Sequence, residues 1–231
     1  MRNKLLIIIG AYGSGKSEYS INLAQEFNFQ FGNVSLVDLD VVNPYFRSRS
    51  VREQFSKENI EVIAPEGQYS HADLPMLSPR IMGAVQNYMR TVILDVGGDP
   101  AGCRTLARYV ENIQKRGYEM HFVINTKRPF TSNEDEILQM MNMLQNVSGL
   151  KVTHLICNTN LMEYTTTKII DDGVKIIDNV AKKLGLIFEN YLTLDKYENK
   201  IPDRIAGKQK KILKYYLNKP WETSMLVRGI I

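Results

Sequence analysis

Five apolar residues, Leu5-Leu-Ile-Ile-Ile9, run directly into Gly10-Ala-Tyr-Gly-Ser-Gly15-Lys16-Ser17. This G-x-x-x-x-G-K-[ST] pattern constrains the chain more than any other feature, because it works only between a strand and a helix. Gly10, Gly13 and Gly15 let the backbone turn successive N–H groups inward at an anion. Lys16 brings a cation to β and γ phosphates, and Ser17 offers a hydroxyl to Mg²⁺. The helix starting here adds the positive end of its dipole. Gly10, Ala11, Tyr12, Gly13, Ser14, Gly15, Lys16 and Ser17 are therefore the expected phosphate contacts.

Similar Ile/Val/Leu-rich runs recur at 34–37, 60–63, 92–94, 120–124, 152–156 and 186–188. Several are continuous rather than alternating, which suits strands buried on both faces. Between them, i, i+3, i+4 apolar spacing predicts helices at about 16–28, 48–56, 79–89, 102–116, 133–146, 165–184 and 204–217. Strand-then-helix repetition predicts an α/β three-layer sandwich with a mainly parallel central sheet of about seven strands and helices on both faces. The reading is one domain over 1–231, with a basic helix and tail at 204–231 packed on it. The irregular stretch Pro65 to Pro79 reads as a functional or partner-facing loop.

Composition agrees. With 231 residues, 44% hydrophobic and 23% charged, the chain can bury a sizeable core. No apolar run approaches the roughly 18 residues needed to cross a bilayer, and the N-terminus lacks the features of a signal peptide. Cys103 and Cys157 stand far apart without a CxxC, so neither a disulfide framework nor a zinc site is indicated and a cytoplasmic setting is expected. The net charge of +4 is uneven. Residues 196–231 hold nine Lys/Arg against three Asp/Glu, net +6, leaving the first 195 residues at −2.

Acidic residues follow two other strands: Asp38 and Asp40 after the second, Asp95 after the fourth. In an open parallel sheet, ligands bind beyond the carboxyl ends of the strands, so these carboxylates converge on the phosphate loop. Ser17, Asp40 and Asp95 form the expected Mg²⁺ set, with Asp95 acting directly or through a water. Asp40 is the candidate for orienting an attacking water, and Lys16 for stabilising transferred charge. Gly97 and Gly98 suit a loop whose amide senses a γ-phosphate. Asp38 reads equally as a turn carboxylate, Asp99 as the start of the turn into the next helix, Arg47 and Arg49 as surface residues or phosphate contacts, and Arg104 and Arg108 as a surface pair.

On these three segments the chain resembles the P-loop ATPases of the MinD/ParA/CobQ-CobB group, in the wider class that includes nitrogenase iron protein. The resemblance implies Mg-ATP as ligand, the phosphate-loop strand beside the Asp95 strand, and an Asp after the second strand that assists hydrolysis. It also implies an Asn at a late strand end that reads adenine. Asn158 matches that position, with Asn125 a weaker candidate, and a carboxamide supplies the donor–acceptor pair a base edge needs. The group's second lysine, after the first glycine, is here Ala11, which puts nucleotide-bridged dimers in doubt. Guanine specificity would want Asn-Lys-x-Asp, and Asn125-Thr-Lys-Arg128 does not supply it.

The segment Lys208 to Leu217 reads as an amphipathic helix with a lysine face, favoured as a closing helix over a membrane or nucleic-acid contact. Function is expected to be a nucleotide-driven switch, an ATPase whose loops control a protein partner, with a homodimer possible. The alternative is a small-molecule or polynucleotide kinase, its acceptor held by Arg47, Arg49 and the Gln68–Pro75 segment.

Overall fold

In β1 (Leu5–Ile9), Leu5, Ile7 and Ile9 pack into one apolar cluster and Leu6 and Ile8 into another. All five are buried, so the continuous apolar run is explained by a strand covered on both sides. The structure, a computed structural model, describes residues 3–40, 52–64 and 79–216. Arg47, Arg49, the Gln68–Pro75 segment and the tail beyond 216 lie outside those residues.

The elements after β1 are α1 (Lys16–Phe31), β2 (Val34–Leu39), α2 (Arg52–Ser56), β3 (Ile60–Ile63), α3 (Pro79–Gln86), β4 (Thr91–Val96), α4 (Pro100–Arg104) and α5 (Val110–Arg116). Then come β5 (Glu119–Ile124), α6 (Glu134–Ser148), β6 (His154–Cys157), α7 (Thr167–Leu184), β7 (Asn190–Leu194), β8 (Arg204–Ile205) and β9 (Lys208–Leu213). The described strands form one sheet in the order β3-β2-β4-β1-β5-β6-β7-β9-β8, parallel except for β8 against β9. One face carries α3 to α7, through residues such as Ile81, Cys103, Ile113, Ile137 and Ile170. The other carries α1 and α2, through Ile21 and Phe55. The expected three-layer α/β sandwich is present, with nine strands rather than about seven.

The two extra strands come from a corrected prediction. Residues 204–213, expected as helix, form the hairpin β8–β9, and β9 pairs in parallel with β7. Ala206 and Gly207 turn the hairpin with φ of 48° and 78°, the positive values a two-residue hairpin loop requires. The lysines of β9 alternate faces as strand residues do. Lys208 pairs with Asp178 of α7 at 2.6 Å, and Lys211 pairs with Glu26 of α1 at 2.5 Å on the other side. Lys210 reaches Asp203 at 2.8 Å. The basic segment is therefore an inner strand with its cations paired, and an amphipathic helix for membrane or nucleic acid is absent from 204–216.

Two smaller corrections have equally local causes. The helix expected over 102–116 begins at Pro100, because Asp99 caps it by accepting from Gly102 N at 2.6 Å, and it is broken by a 3₁₀ segment at Thr105–Tyr109. The strand expected at 186–188 lies at β7 instead. Ile187 makes only an isolated bridge to His154 and is 46% exposed, whereas Tyr191 and Leu192 are buried.

A substitution at the hairpin separates the two readings of this segment by sign. In a helix, Gly207→Ala would stabilise the chain by about 1 kcal/mol. At φ 78°, with open space around the added methyl, it should instead destabilise by about 1–2 kcal/mol. Thermal unfolding should show Tm falling by roughly 2–8 °C; a rise would restore the helix.

Candidate functional site

The first turn of α1 is where the strand ends converge. Gly15 occupies the N-cap position in the left-handed region (φ 88°), and no side chain caps the helix. The amides of the first turn therefore lack the side-chain acceptor that helix starts usually carry, and they face the C-terminal edge of the sheet. Lys16 and Ser17 are buried at this point, as is Glu18. Asn158, just beyond β6, supports the turn from the side: its Nδ2 donates to Ser14 O at 2.7 Å.

Asp38 and Asp95 lie on the α1 side of the sheet, since each is two residues on from Leu36 or Ile93 of the α1-facing cluster and so shares its face. β4 pairs in parallel with both β1 and β2, placing Asp95 opposite Ile8 and Asp38. Asp38 Oδ1 accepts from Asp40 N at 3.1 Å, the turn role read from the sequence, and leaves Asp40 at the cleft. Asp95 is 0% exposed and accepts from Ser20 Oγ at 3.2 Å. Burial pushes its pKa up to about 6, against the opposing effects of the Lys16 charge and the Ser17 hydroxyl. Its second oxygen, Oδ2, has no hydrogen-bond partner among the described residues.

Gly98 sits directly over the phosphate loop. A Cβ there would lie 2.8 Å from Lys16 Nζ and 3.0 Å from Tyr12 N, so only glycine lets this backbone pass so closely. The β4 loop thus lies against the lysine it was expected to work with. Ala11, where the resembled group has its second lysine, is 3% exposed and packs into the core beneath the loop. Cys103 is likewise a buried core residue, its thiol pushed up to about 12 by burial. Asn125 is committed to structure: it donates to Asn160 O at 3.1 Å and accepts from Lys127 N at 3.0 Å.

These groups open into a cleft of about 320 Å³. Its polar end holds Tyr12, Gly13, Gly15, Lys16, Ser17 and Asp40, and Asn158 and Asn160 line it farther on. Its other end is apolar, formed by Met162, Leu192, Leu194, Tyr197, Leu213 and Tyr215. Sequence reasoning missed this half, because β7 and β9 had been assigned elsewhere or as helix. It also missed Arg128, whose guanidinium lies against Gly13. The signal was present: Asn-Thr-Lys-Arg begins where β5 ends, at the edge where ligands bind.

No profile of a known protein family matches the chain, and no curated protein matches it. Solved structures do. Cell division protein FtsY from Thermotoga maritima is 16% identical with a TM-score of 0.56, over 81% of this chain and 60% of that one. Chloroplast FtsY from Physcomitrella patens is 17% identical with a TM-score of 0.55, over 83% and 59%. The signal recognition particle 54 kDa protein from Aeropyrum pernix K1, in complex with GDP, is 14% identical with a TM-score of 0.54, over 81% and 41%. The fold is that of a P-loop NTPase. The likeness does not single out the MinD/ParA/CobQ-CobB group. This chain spans about three-fifths of the length of those FtsY structures, and at such identities the likeness extends to fold alone.

Asp95 gives the site a pH signature. Its folded pKa is raised from an ordinary 3.8 to about 6, so the folded state holds more protons than the unfolded one between those values. Stability from this group is therefore present at low pH and lost as pH rises through about 6. Asp95→Asn removes the dependence. The Tm of the variant relative to wild type, measured without nucleotide, should climb by a few degrees from pH 4 to pH 7 and then level off; a constant difference would show that Asp95 does not titrate there.

Proposed function

We propose that the chain binds a nucleoside triphosphate with Mg²⁺, with ATP favoured, and hydrolyses it slowly as a switch read by a protein partner. The uncapped first turn of α1, with Lys16 buried beside it and Asp95 and Asp40 converging, is the observation that carries this reading. The residues fit a hard cation. Ser17, Asp40 and Asp95 are all oxygen donors, and Asp95 Oδ2 is a buried acceptor without a partner. Ser17 and Asp95 would hold Mg²⁺, which when bound supplies charge neutralisation at the β and γ phosphates.

The chain's own groups divide the remaining work. The amides of the phosphate loop and the α1 dipole fix the phosphates, and Lys16 neutralises charge that develops on them. Arg128, resting on the loop at Gly13, adds a second cation from the far wall. Asp40 accepts a hydrogen bond from the attacking water and orients it. Gly98 lies on Lys16 and Tyr12, so the β4 loop is placed to change when the terminal phosphate leaves, the kind of difference a partner can read. The apolar end of the cleft suits a base. Asn125-Thr-Lys-Arg128 lacks the Asn-Lys-x-Asp pattern that guanine would want, which favours adenine. Asn158 has Nδ2 committed to Ser14 O, and its Oδ1, 3.3 Å from Asn160 Nδ2, keeps a second lone pair for an exocyclic amine.

Titration with a fluorescent ATP analogue tests the site. Lys16→Ala should weaken binding by roughly 10–100-fold, the loss of one or two charge-assisted hydrogen bonds; unchanged affinity would remove the phosphate-loop assignment. Asp40→Asn should keep the analogue bound while phosphate release drops by about 10²–10⁴-fold. Labelled phosphate recovered on a small-molecule acceptor, rather than in solution, would make the protein a kinase instead.

A further inference from the structure

A second cluster of ligand-type side chains lies at the opposite end of the sheet. Glu119 and His121 alternate along β5, so both side chains leave the same face, and His154 of β6 is the register partner of His121. One donor atom from each lies within 4.8 Å of the other two. The site is at the N-terminal ends of β5 and β6. Asn125 and Asn158 mark the other ends, roughly 15–20 Å away along β5.

Three supporting contacts orient the three donors. Tyr19 of α1 meets His121 Nδ1 through its hydroxyl at 3.1 Å, and Thr153 meets His154 Nδ1 through its own at 2.8 Å. Lys4 Nζ donates to Glu119 Oε1 at 2.7 Å. Both Nε2 atoms and Glu119 Oε2 then have no hydrogen bond outside the cluster among the described residues. His121 Nε2 is buried without a hydrogen bond and lies 3.5 Å from Glu119 Oε2. The two imidazole rings sit 4.7 Å apart. In the tautomer with Nδ1–H on the hydroxyl oxygen, each Nε2 presents a lone pair, the arrangement by which a ligating histidine is held from behind.

We propose that Glu119, His121 and His154 bind a divalent transition-metal ion of the zinc or cobalt type, at a site separate from the nucleotide cleft. Two imidazoles and a carboxylate suit such an ion rather than Mg²⁺. A tetrahedral site with ~2.0 Å bonds places donors about 3.3 Å apart, a contraction that rotation of Glu119 and His154 can supply. Both are partly exposed, which gives an entry path and leaves a coordination position open to solvent. Burial lowers the pKa of both histidines, against the Glu119 carboxylate, which raises them. Lys4 and Lys211 add positive charge nearby, while Glu119 and Glu189 offset it on the His154 side.

Co²⁺ titration of the untagged, nucleotide-free full chain tests this, read by visible d–d absorption. Wild type should take up one equivalent with bands of a tetrahedral or five-coordinate ion. His154→Gln and His121→Gln should each weaken binding by at least about tenfold, a loss typical of removing a ligand or its support. His71→Gln, changing the chain's third histidine, should leave the titration unchanged. Absence of bands in wild type at excess Co²⁺ would overturn the proposal, as would His154→Gln binding as tightly as wild type. Should His121→Gln fail to fold, the partly exposed His154 variant decides alone. None of these readouts depends on nucleotide binding.

Discussion

A helix that starts without a side-chain acceptor leaves its first amides unsatisfied, and in this protein that deficit sits where five loops meet. α1 opens on Gly15, with no Ser, Thr, Asp or Asn at its cap. The deficit is tolerable because the loop before it is rigidly held: Ser14 N donates to Ala11 O, and Asn158 holds Ser14 O from across the cleft. The sheet order makes the position unavoidable. β1 lies between β4 and β5, and chain direction in the sheet order reverses there, so the ends of β1, β4 and β5 form one edge. Under the proposed function an anion would supply what the helix start lacks, and Lys16 would supply the countercharge.

How much of this could be read beforehand depended on whether local sequence and tertiary setting agreed. β1 is a continuous apolar run, β2 and β4 are mainly apolar with an aspartate next to the last residue, and both faces of each strand are covered, so burial and chemistry gave one answer. Asp40, Asp95 and Gly98 follow from strand ends alone. β9 is different. Lys-Gln-Lys-Lys-Ile-Leu has neither apolar alternation nor a core-like run, and its lysines suit a strand only because Asp178 and Glu26 wait on opposite sides of the sheet. Those partners lie 30 and 185 positions away in sequence, beyond any local pattern. Losing β9 meant losing Leu213 and Tyr215, and with them the apolar end of the cleft.

The buried Asp95 shows the conflict between folding and use. A carboxylate with no exposure and one oxygen without a partner destabilises the empty protein at neutral pH, yet nothing in packing alone favours it over a leucine. Ser17 and Ser20 reduce the cost, as does the nearby Lys16 charge, but they do not cancel it. Such local strain is expected where a site is built for something absent from the folded chain by itself. Under the proposed function Asp95 and Ser17 would hold the cation, which would supply charge neutralisation.

α1 ties this edge to the rest of the molecule. Two residues after Lys16, Glu18 accepts from Tyr216 N at 3.0 Å, and Asn22 exchanges hydrogen bonds with both backbone groups of Lys214 at 2.9 Å each. Tyr19, on the same helix, reaches His121 and so touches the second cluster. α1 thus joins the phosphate loop to the end of β9 and to the histidine pair as one packed element. Packed elements of this kind move as bodies rather than deform. The backbone of Lys214 and Tyr216 is therefore fastened to the helix that begins at the phosphate loop, and under the proposed function a shift of that helix would be felt there.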